Sequence, residues 1–210
     1  MTSQNTRSSG IQYDEPRGVR VSTSGRIRGR SGLYDKHLSH MSGVYRDADA
    51  YRDAVSAQGG DTLVYRVEEN RVGDGDGALI LGTSTMQPGR ISAEFAVTRG
   101  HLHRRADRAE VYHCLAGHGV MLLDTVTGQS RALEMTPGIA VHVPGGWVHR
   151  SVNVGDEPLV TTFVYNADAG QNYDIIARAG GMSQLIVADD DGGWASIPNP
   201  DHIGYVGTAR

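Results

Sequence analysis

The sequence predicts an all-β domain, a closed antiparallel barrel of jelly-roll type carrying one short peripheral helix. Two observations predict it. From Thr62 onward the chain is a succession of apolar or alternating runs, four to ten residues long, cut by Gly, Pro, Asn and Asp, the pattern of short strands joined by turns. Only one segment carries the start and stop signals of a helix. The chain has 210 residues, 39% of them hydrophobic, enough for one sizeable core and one domain.

Taken in order, residues 1–17 are polar, without periodicity, and read as a tail that does not fold alone. "GVRVSTSGRIRG" alternates around a Ser-Thr-Ser-Gly turn and predicts an edge hairpin whose arginines face water. "RDADAYRDAVSAQGG" is the helix, with Asp47 as its N-cap, acids in the first turn and Gly59-Gly60 as its stop. Strands follow in "TLVYRVEEN", "GALILGTSTMQPG", "ISAEFAVTRGHLH", "AEVYHCLA", "GVMLLDTVTGQSRALEMTPG", "AVHVPGGWVHRSVNVGDEP" and "LVTTFVYNADAG". Thr127-Gly128-Gln129 marks a hairpin turn between two alternating runs. The barrel domain is expected over 18–185, and 186–210 as an extension that packs on the barrel or trails from it.

A formal net charge of -4 offers no general attraction to phosphate backbones or anionic lipid, so neither nucleic acid nor membrane is an expected partner. Cys114 is the single cysteine, which excludes an internal disulfide framework. Residues 1–30 lack the apolar run of a signal peptide, and no window reaches the roughly twenty apolar residues of a membrane span. The expected location is the cytoplasm.

Chemistry concentrates in "GHLHRRADRAEVYHCLAGHG", residues 100–119. Side chains alternate along a strand, so His101 and His103 share a face and Leu102 takes the other. Glu110 lies seven residues beyond His103, and the polar "RRADRA" between them suits a loop that returns the next strand alongside. By the same parity His113 falls on the side of its strand opposite Glu110, His118 belongs to a turn between Gly117 and Gly119, and Cys114 points inward as small core packing. His-x-His alone is common on exposed strands. A second piece joins it in "GIAVHVPGGWVHRSVN", with Gly138, Pro144, Gly146, His149 and Asn153 at set intervals.

Those two pieces, in this order, resemble the double motif of the cupin superfamily, small β-barrels that hold a metal. The resemblance implies that His101, His103, Glu110 and His149 converge on one divalent ion per chain. Mixed imidazole and carboxylate donors suit Fe2+, with Mn2+, Ni2+ or Zn2+ as alternatives. Six residues separate His103 from Glu110, more than the common cupin pattern allows, and Phe95 stands where that pattern has its first glycine. The long gap is normal in the cupin-type glucose-6-phosphate isomerases. "TRGHLHRRADRAEVYHCLAGHGVMLL" and "VPGGWVHRSVNVGDEPLVTTFVYNADAGQNYDIIARAGG" resemble that family, and the similarity runs upstream to "LSHMSGVYRDADAY", covering about residues 18–185.

The family implies interconversion of glucose 6-phosphate and fructose 6-phosphate, a step of glycolysis and gluconeogenesis. A hydrogen moves between C1 and C2, through an enediol or as a hydride. Glu110 is then the shuttle base, a ligand, or both in turn. The family pattern puts the phosphate on Ser84, Thr98 and Gly100, while Arg99 alternates away from them. Tyr112 shares the inward parity of Glu110, Tyr165 and Tyr173 match family aromatic positions near the sugar, and each serves almost as well as barrel core. Gln171 departs from the family, which often has His there; Gln donates hydrogen bonds without titrating near neutral pH, so substrate preference is open. Another sugar or sugar-phosphate isomerase, a dioxygenase and a non-catalytic sugar-binding cupin are the alternative readings. Cupins commonly pair through their outer sheets, so a homodimer is expected.

Overall fold

The computed structural model describes residues 15–73 and 77–205. The tail predicted over 1–17 therefore lies almost wholly outside the described residues. The strands are β1 (Gly32–His37), β2 (Leu63–Val72), β3 (Leu79–Met86), β4 (Arg90–Ile91), β5 (Glu94–Val97), β6 (Leu102–His103), β7 (Glu110–Ala116) and β8 (Gly119–Thr125). They continue as β9 (Ser130–Met135), β10 (Ala140–Val143), β11 (Trp147–Asn153), β12 (Leu159–Asn166), β13 (Gln171–Asn172), β14 (Gln184–Ala188) and β15 (Trp194–Pro198).

Two antiparallel sheets face each other, and this is the all-β jelly-roll barrel that the strand pattern predicts. One sheet runs β1-β2-β3-β12-β7-β10; the other runs β15-β14-β5-β11-β8-β9, with β4 on β5. Alternation decides which side chains enter. On β7, Glu110, Tyr112 and Cys114 are buried, whereas Val111 is exposed and His113 half-buried. The chain has only two phenylalanines, and Met41, Met86, Met121, Met135 and Met182 fill the core, none more than 1% exposed. Unbranched thioethers fit the irregular gaps between two twisted sheets.

Helix α1 (Ala48–Gln58) starts on Asp47, whose carboxylate accepts from the Ala50 N–H at 2.9 Å, and stops at Gly59 with φ 88°. It buries no residue completely, so it is peripheral. A second helix, α2 (Asp174–Arg178), adds to the single one expected; at five residues it is too short to show helical periodicity, yet Ile175 and Ile176 are buried by it. The hairpin expected at an edge forms one bridge, Val21 to Ile27, and lies flat on the outer face of the first sheet. Glu68, buried on that face, accepts from the Ile27 N–H at 2.9 Å and from Arg26 at 3.0 Å, so this arginine is held by an ion pair. Beyond residue 185, β15 and most of β14 extend the second sheet, with Val187 opposite Glu94.

Gly82 in the middle of β3 shows how tightly the barrel is filled. Its partners are Phe163 on β12 and Glu69 on β2, and any Cβ at this position would fall on the Phe163 ring. Overpacking of this kind costs ~1–3 kcal/mol. Gly82→Ala is expected to lower the thermal midpoint, and Phe163→Leu in the same chain to restore part of the loss. Equal melting of Gly82→Ala and wild type would contradict this packing.

Candidate metal centre and its cavity

The site sits between the sheets. His101 pairs with His149 in an isolated bridge, each N–H donating to the other's carbonyl at 3.0 and 2.9 Å, and this ties the β5–β6 connection to β11. Gly100 makes the approach possible. Its φ is +71°, and a Cβ would meet the His149 carbonyl, the Arg150 Cβ and the Ile176 Cδ1 at 2.7–2.8 Å. His103 follows on β6, held against β13 by pairing with Gln171. Glu110 opens β7, opposite Val143 and Tyr165.

These elements bring one nitrogen from each of His101, His103 and His149 and one Glu110 oxygen to within 4.8 Å of one another. Glu110 Oε2 lies 3.1 Å from His149 Nε2, 3.2 Å from His103 Nε2 and 3.9 Å from His101 Nε2. The outer ring nitrogens are already committed. His103 Nδ1 is 2.9 Å from the Arg108 carbonyl and His149 Nδ1 is 3.0 Å from the Trp147 carbonyl. A carbonyl only accepts, so each Nδ1 carries a proton, and in the neutral imidazole each Nε2 presents a lone pair to the carboxylate. Nε2 of His101 and of His103 is buried without a hydrogen-bond partner. Lone pairs facing a carboxylate repel unless a cation stands between them. The donor set fits a divalent ion, with the Arg108 and Trp147 carbonyls fixing the tautomers.

Burial would push the Glu110 carboxyl up, but the His103 and His149 rings beside it, and after them His101, outweigh it and hold the group at about 2. His101 is driven well below the usual imidazole range, first by burial and then by His149. Burial lowers His103 too, but the Glu110 contact and the Arg108 carbonyl reverse the sign and raise it.

Above the quartet opens a cavity between the two sheets. Ser84, Thr98, Gly100, Tyr112, Tyr165, Tyr173 and Gln171 all border it, together with His101, Glu110 and His149. Thr98 Oγ1 accepts from the Ser151 N–H at 3.1 Å, leaving its proton free to donate. His113 stays outside on the outer face, His118 binds Glu134 at 2.6 Å in the β7–β8 turn, and Cys114 is fully buried away from the quartet.

Other lining residues were not singled out from the sequence: Tyr34, Tyr65, Glu69 and Arg150. Tyr65 and Glu69 share inward parity on β2, a signal available in "LVYRVEEN". Arg150 is different, because its parity opposes His149 and only packing brings it to the cavity. Its side chain is buried, Nη2 donates to the Arg99 carbonyl at 2.8 Å, and Nε has no partner. Arg99 itself, set aside on alternation, borders the adjoining vestibule with Lys36, Tyr34, Tyr65 and Tyr173. Residues 98–100 are not strand, so alternation does not govern them.

A jelly-roll barrel with three imidazoles and a carboxylate converging inside it is a cupin of the metal-centre type. The chain belongs to the glucose-6-phosphate isomerase family, whose model matches residues 35–202. It is 42% identical over 186 residues to the glucose-6-phosphate isomerase of Sinorhizobium medicae, covering 88% of this chain and 86% of that one. With the glucose-6-phosphate isomerase of Pyrococcus horikoshii it shares 41% identity over 189 residues, 90% and 97% of the two chains. Among solved structures, an oxalate oxidase in complex with the substrate analogue glycolate superposes with a TM-score of 0.45 at 15% identity, over 57% of this chain and 61% of that one.

A divalent ion here competes with protons for three imidazoles. Affinity is expected to fall first as pH drops through the range where His103, raised above the usual imidazole value, takes up a proton, to fall further in more acid solution where His101 does, and to level off above both. Glu110, at about 2, adds no slope in that window. Elemental analysis of metal-loaded protein after gel filtration at stepped pH tests this; retention that does not change across the imidazole range would contradict it.

Proposed function

We propose that this protein is a metal-dependent isomerase that interconverts D-glucose 6-phosphate and D-fructose 6-phosphate by hydrogen transfer between C1 and C2. The observation that carries this reading is Glu110, buried among three imidazoles at the base of a cavity walled by hydroxyls and tyrosines, in a chain of this family. His101, His103, Glu110 and His149 would hold one ion, Fe2+ by our reading. Once bound, it supplies Lewis acidity that polarises the sugar oxygens at C1 and C2.

Glu110 takes the hydrogen from one carbon as a proton and returns it to the other. Its carboxylate is ionised, as a base must be, and it is buried where water does not compete. Tyr112 lies beside it, its phenol pushed well up by burial and by the Glu110 charge, and so remains a donor that orients the carboxylate. Ser84, Thr98 and Gly100 cradle the phosphate, and the buried guanidinium of Arg150 provides positive charge behind that loop. Tyr165 and Tyr173 flank the sugar.

The reaction belongs to glycolysis and gluconeogenesis, and we place it in the cytoplasm, where sugar phosphates are made and used. Among the described residues no helix is long and apolar enough to cross a membrane. We also propose a homodimer through the outer face of the first sheet. There Leu81, Val164 and Val111 line up across β3, β12 and β7, with the half-exposed Leu79 beside them.

The test is fructose 6-phosphate consumption coupled to oxidation of glucose 6-phosphate. Wild type should turn over, metal-stripped protein and His149→Ala should not, and metal should restore the former. No turnover after restoring Fe2+, Mn2+, Ni2+ or Zn2+ would sink the reading. Glu110→Gln should lose ~10²–10⁴ in kcat with a smaller change in KM. An unchanged kcat with weaker metal binding would leave Glu110 a ligand only. Sedimentation of wild type against Val111→Glu checks the interface, with a dimer expected to become a monomer.

A further inference from the structure

The cavity wall holds a carboxylate, Glu69, that the C1/C2 transfer does not use. Strand register sorts the inward residues of the first sheet into three successive rows. In the first, Ser84 stands opposite Val67 and Thr161. In the second, Gly82 stands opposite Glu69 and Phe163, with Tyr112 beyond Phe163. In the third, Ile80 stands opposite Tyr165, with Glu110 beyond it. Each row is two residues from the next, about 7 Å along the strands. By the reading above, Ser84 belongs to the phosphate end and Glu110 to the reacting carbons, so Glu69 occupies the row between them.

Glu69 is half-buried and has no ion-pair partner among the described residues, whereas Glu68 beside it faces outward and is committed to Arg26 and Arg30. Its Oε1 accepts from the Tyr165 hydroxyl at 3.3 Å, which steadies the group. Its partners on the two neighbouring strands are both glycines, Gly32 on β1 and Gly82 on β3, so neither position puts a side chain over the carboxylate. The Phe163 ring lies over Gly82 and gives the same row an apolar floor.

A hexose phosphate held by its phosphate in the first row and by C1 and C2 in the third must carry C3, C4 and C5 across the second. C4 is the central carbon of these three, and its hydroxyl donates. A carboxylate only accepts, and a hydrogen bond to it is roughly twice as strong as one between neutral groups. An aromatic ring beside that acceptor packs on the C–H face of the chain while the hydroxyl is read. The same negative charge repels a phosphate from the middle row and keeps the dianion at the Ser84 end, towards the Arg150 guanidinium. We propose that Glu69 accepts the hydrogen bond of the C4 hydroxyl and makes C4 a point at which this protein selects its sugar phosphate. The inference rests on the isomerase reading for its substrate class.

The probes are fructose 6-phosphate and its 4-deoxy analogue, identical at C1 and C2. Isomerisation by metal-loaded enzyme is followed by proton NMR, so that no coupling enzyme intervenes. Wild type should prefer the parent sugar about tenfold or more in kcat/KM. Glu69→Ala should lose about that factor on the parent, mainly through KM, and change little on the analogue, so that the ratio falls near one. Its metal content and melting temperature should match wild type. Glu69→Gln, which keeps an acceptor without the charge, should fall between the two and decides the matter if Glu69→Ala does not fold. A ratio as large in the variants as in wild type, or a wild type that does not discriminate, overturns the assignment and leaves the isomerase reading standing. If wild type turns over neither sugar, the isomerase reading falls, and the same ratio is read from dissociation constants by calorimetry. A protein that binds neither sugar overturns both.

Discussion

Two imidazole lone pairs and a carboxylate facing one another inside a barrel is the constraint on which the rest depends. Glu110 Oε2 sits 3.1–3.2 Å from Nε2 of His149 and His103, and the far side of each ring is tied to a backbone carbonyl. The carbonyls of Arg108 and Trp147 thus do more than orient the rings. They force the lone pairs inward and make the pocket a place for a cation. A buried polar atom left without a partner costs ~1–3 kcal/mol, and Nε2 of His101 and of His103 are two such atoms.

The two sheets divide the labour. The first contributes Glu110, Tyr112, Tyr165, Ser84 and Glu69 from inward positions of regular strands, where parity fixes direction. The second contributes His149 from β11, and with it the irregular segment 98–101, pinned by the reciprocal His101–His149 bonds. Carboxylates therefore arrive from one wall, and His101, His149 and the cations from the other, with His103 on the separate β6–β13 pair. Arg99 lies in the 98–100 loop and Arg150 donates to its carbonyl, which makes that end of the cavity the electropositive one, while Glu69 and its tyrosines make the first wall acidic.

What was legible in the sequence follows the same division. Strand alternation alone separates His101 and His103 from Leu102, and Glu110 from His113, and the structure keeps those faces apart. The helix ends are written in Asp47 and Gly59. Alternation fails where the backbone leaves the strand, as at Arg99. It is silent about what covers an outward residue: Arg150 is outward on β11, yet the C-terminal segment and α2 bury it. Glu68 and Glu69, adjacent and chemically identical, show the other limit. One is an outer-face anchor for the turn at Arg26–Ile27 and the other lines the cavity, and only the fold distinguishes them. Helix α2 is five residues long and takes its stability from burying two isoleucines, which no local propensity records.

The central claim is that one divalent ion occupies the space among His101, His103, Glu110 and His149. Crystals of metal-loaded protein, with diffraction recorded on both sides of the ion's absorption edge, test it most directly. The account predicts one anomalous peak per chain, about 2.0–2.2 Å from a nitrogen of each histidine and an oxygen of Glu110. An ion bound elsewhere in the barrel, or a quartet that stays empty in protein shown to carry metal, would contradict it.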